Sequence, residues 1–291
     1  MHIRCAIYSL VPILTHRYDP GDSKPDRRVD RIEHATVKTM PEKISRALFA
    51  DALAAFTTLP EGVSHPPYQS AAIDFFPGGT GMCVQNAPFP VGGVMILGHM
   101  YGNDLDFTRS VQSTESSWHD SIGPTRRNTH IALRRWNIEP ATCFFTNFYP
   151  GYVTTRDELG RPFNVGPHPH AHDGAFVRAS RGFFVRQVQA QRPRAVLVLG
   201  TQVPPLLAPL DARLAAWAPW PGFAALDASG HSIVRDLVIG GHRLNIGLVA
   251  HPRMPTATNR RHGVLQGAEG ESALVHETVQ TGRFAVGRRA A

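Results

Sequence analysis

The sequence predicts an α/β protein, a three-layer α/β/α sandwich with a central, mainly parallel four-stranded sheet. Four short apolar runs have the length and composition of buried strands. They span residues 93–97, 143–148, 195–199 and 244–250. Helical patterns lie between them, for example at 129–136 and 176–191, and this alternation is typical of parallel strands joined by crossover helices. Because the carboxyl ends of such strands meet at one edge of the sheet, we expect the functional site there.

Two regions are expected, an N-terminal arm or long loop at residues 1–40 and one domain at residues 41–291. Residues 16–38 are dense in charge and contain Pro and Gly, so they cannot bury much apolar surface. Pro41 can open a helix, because apolar side chains recur on one side of the segment that follows it. These side chains are Ile44, Leu48, Phe49, Leu53 and Phe56.

Two further elements are expected towards the C-terminus. Residues 233–239 and 243–246 read as a strand pair, with Gly240 and Gly241 as its turn. The tail after Gly267 is polar, so we expect at most one short helix there.

Composition narrows the class of protein. The chain has 30 Lys and Arg against 23 Asp and Glu, a net charge of +7 that favours a polyanionic partner. A hydrophobic fraction of 42% argues against a disordered chain. Three cysteines are too few for a disulfide framework or a four-thiolate cluster. With no apolar run approaching the roughly 18 residues of a membrane span, we expect a cytoplasmic protein without membrane contact.

Three predicted strand ends carry polar residues. The first strand ends in Gly98 and continues as His99-Met100-Tyr101-Gly102-Asn103-Asp104. The second strand ends with Asn147, and the last continues as His251-Pro252-Arg253-Met254. Between them, Arg192-Pro193-Arg194 joins a helix to the third strand. In this order the segments resemble the uracil-DNA glycosylase superfamily, over about residues 90 to 265.

The resemblance implies a role for each segment. Asn147 would read the base, because its carboxamide offers a donor and an acceptor complementary to O4 and N3–H of uracil; the alternative for Asn147 is a turn cap. His251 would stabilise the negative charge that develops on the base. Phe107 would stack on the base or belong to the core. The loop against the nucleotide would comprise Gly98, Met100, Tyr101 and Gly102.

The sequence also departs from the family pattern. Met100 stands where the best-known branch has an Asp that orients water. That role would pass to Asp104, whose carboxylate can also stabilise a cationic sugar, with His99 second and Asn103 as a further candidate. Arg253 replaces the Ser that follows His-Pro, so it would meet a phosphate through its charge. The absence of four suitable cysteines excludes the iron–sulfur cluster of related bacterial branches.

DNA contacts are expected beside this site. Arg253, Arg260 and Arg261 would hold phosphates. Met254 would enter the gap left by the extruded base, the alternative being a packed core residue.

The resulting hypothesis is a monomeric DNA glycosylase without metal or other cofactor, which excises uracil or a related deaminated base from single- or double-stranded DNA. The alternative is a superfamily member that binds DNA or a nucleotide but has a different base preference or no glycosylase activity. A third class is a metal-dependent hydrolase built on His168, His170 and His172, although the lack of an acidic or Cys partner at firm spacing favours a solvated loop for these histidines.

Overall fold

The computed structural model describes residues 44–65, 75–84, 87–101, 104, 107–108, 124–154, 174–253 and 259–280. Its helices are α1 (44–55), α2 (Pro124–Arg135), α3 (Gly174–Gln191), α4 (Pro204–Leu207), α5 (Phe223–Ala228) and α6 (Gly267–Gln280). Its strands are β1 (Val63–Ser64), β2 (Val94–Gly98), β3 (Cys143–Asn147), β4 (Tyr152–Val153), β5 (Ala195–Leu199), β6 (Ile233–Ile239), β7 (His242–Val249), β8 (Arg261–His262) and β9 (Leu265–Gln266). No helix among the described residues is long and apolar enough to cross a membrane.

The main sheet has five strands in the order β3-β2-β5-β7-β6. β3, β2, β5 and β7 are mutually parallel, whereas β6 pairs with β7 in the antiparallel sense. The α/β class and the parallel strands are therefore confirmed. The expected number of four strands is wrong, because the hairpin expected near the C-terminus adds β6 to the same sheet. Its turn has positive φ angles at Gly240 (57°) and Gly241 (78°), which suit a tight two-residue hairpin loop.

β2, β3 and β5 are buried along their whole length, and β7 is buried from Leu244 onwards, which explains why each reads as a short apolar run. Their alternate residues enter two different hydrophobic clusters. One cluster joins Met95 and Leu97 to residues of α1 and α3, including Leu48 and Phe183. The other joins Ile96 and its neighbours to residues of α2 and α6. Since successive strand residues point to opposite faces, helices cover both faces of the sheet.

Two helices differ from expectation. In α1, Leu53 is 44% exposed, so it does not join Leu48 and Phe56 in the core. The expected short helix of the tail is the 14-residue α6. Leu274 and Val275 anchor α6 through the core, while most of its other side chains are polar. This composition explains why the sequence underestimates it.

The segment at residues 75–84 lies along β3. Phe76 makes a parallel bridge with Thr146, and the N–H of Phe145 donates to the carbonyl of Gly81 over 2.7 Å. Residues 75–83 are buried. This Gly-rich segment therefore becomes a wall of the region beyond the strand ends.

Candidate functional site

The carboxyl ends of the four parallel strands meet at one edge of the sheet, as the sequence predicts. In sheet order these ends are Asn147 of β3, Gly98 of β2, Leu199 of β5 and Val249 of β7. Strands in a sheet lie about 4.8 Å apart, so the outer two of these ends are separated by about 14 Å. Polar groups from β3 and from the segment after β7 therefore border one continuous edge.

Gly98 and Asn147 are register partners at the ends of β2 and β3. The pairing continues beyond the strands, since the N–H groups of Phe148 and Tyr149 donate to the carbonyls of Gly98 and His99, each over 2.9 Å. A Cβ atom on Gly98 would lie 2.5 Å from Oδ1 of Asn147. Only glycine at position 98 leaves the Asn147 carboxamide where it is.

Asn147 is a buried polar residue, with only 4% of its surface exposed. Within the described part of the chain its oxygen and nitrogen form no hydrogen bond, and neither atom is fully shielded from solvent. Buried side-chain amides normally satisfy both groups. The carboxamide is thus available to a ligand, and the described structure gives no support to the alternative of a turn cap.

His251 follows β7, and its hydrogen bonding defines its tautomer. The N–H of Arg253 donates to Nδ1 over 3.1 Å, so the neutral ring carries its proton on Nε2. Burial, followed by the charge of Arg253, lowers the pKa of His251 below its usual 6.5. At neutral pH the imidazole is therefore uncharged and presents Nε2–H as a donor. Among the described residues Nε2 has no partner and is not fully shielded.

Two neighbouring groups fix the backbone around His251. Gly200, with φ of 78°, follows β5, and an added Cβ there would lie 3.3 Å from Cβ of His251. Nδ2 of Asn128, on α2, donates to the carbonyl of Pro252 over 3.0 Å. His251 therefore packs closely against Gly200, and the backbone that follows it is hydrogen-bonded to α2.

The residues after β2 pack against their surroundings in different ways. The His99 ring meets the ring of Tyr149 edge to face at 5.2 Å. Met100 is partly buried against the cluster that contains Leu97. The hydroxyl of Tyr101 accepts the N–H of Gly78 over 2.8 Å, which ties this segment to the wall at 75–84.

The ring of Phe107 packs against other aromatic rings and is not exposed for stacking on a base. Its ring lies parallel to that of Tyr152 with centroids 4.9 Å apart, and Tyr101 meets it edge to face at 5.2 Å. The residue is 4% exposed. The expectation that Phe107 stacks on an extruded base is therefore corrected, because Tyr152 covers one face of the ring.

Of the three candidates for orienting water, the described residues include Asp104 and His99. Asp104 is half-buried in the segment that follows β2. His99 is also half-buried, with Tyr149 against its ring. Asn103 lies outside the described residues, as does Gly102, and Met100 has no group that could orient water. Asp104 and His99 stay as alternatives for this role.

The expected phosphate contacts separate into two kinds. Arg253 and Arg261 have exposed side chains. Arg260 is 1% exposed, and its Nε and Nη2 donate to the Asp227 carboxylate over 3.1 and 3.0 Å. The expectation that Arg260 contacts DNA is therefore wrong, because its guanidinium is buried in an ion pair with Asp227. Met254 lies outside the described residues.

Metal binding was expected to be absent, with one alternative. The described residues contain no group of three or more His, Cys, Asp or Glu side chains that could hold a metal ion. His168, His170 and His172 lie outside those residues, so the metal-dependent alternative rests on the sequence alone.

Three residues that shape this site were not predicted from the sequence: Gly78, Tyr152 and Glu271. Gly78 presses against the Tyr101 and Phe107 rings, where a Cβ would lie 2.4 Å from Phe107. Its signal was the glycine-rich run near a predicted strand. Apart from its aromatic side chain, Tyr152 has no sequence feature that would place it at the site. Glu271 was hidden in a polar tail, although it accepts a hydrogen bond from the backbone of Ala250, directly before His251.

Comparison with known proteins gives no family for this chain: no protein-family model matches it, and no curated protein does so either. The fold and the geometry define an α/β protein with the Asn147 carboxamide and the neutral His251 imidazole at the carboxyl edge of its sheet.

Proposed function

We propose that this protein is a monomeric, cytoplasmic DNA glycosylase that extrudes uracil or a related deaminated base and hydrolyses its N-glycosidic bond without a metal. In this proposal the domain is a three-layer α/β/α sandwich whose sheet edge receives the base. The observation that carries it is the pair of available polar groups at one edge, the Asn147 carboxamide and Nε2–H of His251.

Asn147 would provide base recognition. Its amide nitrogen can donate to O4 of uracil while its oxygen accepts N3–H. Cytosine presents an amino group in place of O4, which would face a donor and leave buried polar atoms unpaired. Such a mismatch costs about 1–3 kcal/mol, which corresponds to roughly 5- to 160-fold discrimination.

His251 would act on the opposite side of the base. When the glycosidic bond breaks, its electron pair passes to the base and negative charge builds on the carbonyl oxygen. A hydrogen bond from Nε2–H to that oxygen stabilises the charge more in the transition state than in the ground state. The lowered pKa of His251 keeps the ring neutral, so Nδ1 retains its bond from the Arg253 N–H.

The remaining step is attack of water on the sugar carbon. Asp104 would orient this water and take its proton, with His99 as the alternative. The exposed guanidinium groups of Arg253 and Arg261 would hold flanking phosphates, in agreement with the net charge of +7.

The experiment uses oligonucleotides that each carry one uracil, hypoxanthine or xanthine, incubated with purified protein and then treated with alkali to cleave abasic sites. We expect strand cleavage for at least one base and a strong loss in Asn147→Asp, because a carboxylate cannot donate to O4 and repels the developing charge. Unmodified oligonucleotides are the control. Full activity in Asn147→Asp would show that this side chain does not read the base.

One observation favours a second candidate, a protein that binds the extruded base but excises another base or none. Met100 occupies the position of the expected water-orienting carboxylate and packs against the core. Tight, uracil-dependent binding without abasic product would support this candidate over the glycosylase.

A further inference from the structure

The connection that carries His251 is held at both of its ends. This His251 connection, residues 251–259, joins Ala250 after β7 to Arg260 before β8. At the first end the Ala250 N–H donates to the carboxyl group of Glu271, on α6. At the second end Arg260 donates to Asp227, on α5. Two carboxyl groups from two different helices therefore fix the two ends.

Asp227 is saturated by these contacts. Its Oδ2 accepts Nε of Arg260 and the backbone N–H of Arg261, the latter over 2.7 Å. Its Oδ1 accepts Nη2 of Arg260 and the hydroxyl of Ser232. The Asp227 side chain is fully buried, and the Arg260 guanidinium also lies 4.4 Å from the centre of the Phe223 ring. This end is therefore fixed in position and in direction.

Glu271 brings the first end to the same cluster. It is 1% exposed, and the positive charge of Arg260 acts on it together with the negative charge of Asp227. The adjacent Gly270 allows α6 to approach closely, since a Cβ there would lie 2.9 Å from the carbonyl of Leu265 and 3.3 Å from that of Arg260. Ala250 and Arg260 are thus drawn to one buried group of three charges.

A buried cluster of one cation and two carboxylates is costly to desolvate, and well-packed apolar residues often give equal or greater stability. A purely structural role therefore explains it poorly. Its distinguishing feature is that the two attachments, at Ala250 and Arg260, flank one connection, whose first residue is His251. Such an arrangement holds the His251 imidazole in position.

We propose that Asp227 and Glu271 are positioning residues, which hold the two ends of the His251 connection so that Nε2 of His251 faces the site. This inference rests on the proposed function for its catalytic meaning. The positioning of His251 affects the surroundings of its imidazole, which can be measured without any substrate.

The test is an NMR titration of the His251 imidazole in the full chain, assigned by its loss in His251→Gln. Glu271→Leu removes the acceptor for the Ala250 N–H, Glu271→Gln keeps an acceptor without charge, and Glu269→Leu is a control at an exposed position of the same helix. In Glu271→Leu we expect the His251 pKa to rise towards 6.5, because the ring gains solvent. Glu271→Gln and Glu269→Leu should titrate like the parent.

The direction of this shift separates positioning from electrostatics. Removing a nearby carboxylate would by itself lower the pKa of an imidazole, which is the opposite of the expected rise. If excision occurs, kcat of Glu271→Leu should fall about tenfold or more with KM nearly unchanged, because misplacement of a catalytic group acts on the chemical step. Glu271→Gln should restore kcat.

An unchanged or lowered His251 pKa in a folded Glu271→Leu protein overturns the proposal. Should that variant fail to fold, Glu271→Asp provides the test, since it withdraws the carboxyl group from Ala250 by one methylene and keeps its charge. A raised pKa in a protein that excises no base would retain the positioning role and reject the glycosylase proposal instead.

Discussion

Gly98 and Asn147 are register partners at the ends of adjacent parallel strands, close enough that a Cβ atom at position 98 would lie 2.5 Å from Oδ1 of Asn147. The displaced atom would be the end of a side chain, so the fold can adjust while the carboxamide moves. We therefore expect Gly98→Ala to reduce base excision about tenfold or more, because the misplaced carboxamide no longer reads the base. The change in unfolding free energy should stay within about 1 kcal/mol.

Gly182 gives the matched control for Gly98. It lies on an exposed face of α3, and an added Cβ meets nothing within 4 Å. Gly182→Ala should leave excision unchanged and stabilise the protein by about 0.5–1 kcal/mol. Wild-type excision kinetics in Gly98→Ala would remove Asn147 from base recognition or show that the strand ends adapt without moving it.

The charge of Arg253 should be detectable in the titration of His251. Burial is the larger cause of the lowered His251 pKa, and the Arg253 guanidinium is the second. Arg253→Gln removes this charge but keeps the backbone N–H that donates to Nδ1. NMR titration should therefore show a higher His251 pKa in Arg253→Gln, still below 6.5. An identical pKa in both proteins would mean that solvent screens the guanidinium completely.

Arg260 and Arg261 are neighbours in sequence with opposite expected roles. Arg261→Gln should weaken DNA binding and reduce the slope of log K against log salt by about 1, with little change in Tm. Arg260→Gln leaves the buried Asp227 carboxylate without its partner, so it should cost about 3–5 kcal/mol of stability. Salt-dependent binding and thermal unfolding of both variants provide the measurements. Comparable Tm values would contradict the buried ion pair.

The contrast between these two arginines shows what local sequence conveys. An Arg doublet reads as a solvated basic surface, and this reading holds for Arg261. Arg260 is buried because Asp227, 33 residues earlier in the chain, pairs with it, and no local pattern records such a partner. The packed position of Phe107 has the same origin, since Tyr152 comes from a distant segment.

The sheet was predictable for the opposite reason. Strands buried on both faces are mostly apolar, so β2, β3, β5 and β7 can be recognised in the sequence as short apolar runs. The polar residues directly after such strands are then confined to one edge, which located Gly98, Asn147 and His251. The segment at residues 75–84 was missed because its pairing with β3 uses backbone groups of a Gly-rich stretch, which lacks the apolar periodicity of a strand.

The carboxyl group of Glu271 should leave a signature in the pH dependence of stability. Burial raises its pKa above the ordinary 4.5, while Arg260 opposes the rise. The native state therefore holds this proton more tightly than the unfolded chain does, so the contribution of Glu271 to stability is complete below pH 4.5 and declines as pH rises through the native pKa. Glutamine does not titrate but keeps an oxygen for the Ala250 N–H. We expect the unfolding free energy of the parent minus that of Glu271→Gln to fall as pH increases from about 4.5 towards neutrality, as measured by urea unfolding at a series of pH values. A difference that grows with pH would show instead that attraction to Arg260 outweighs the cost of burying the carboxylate.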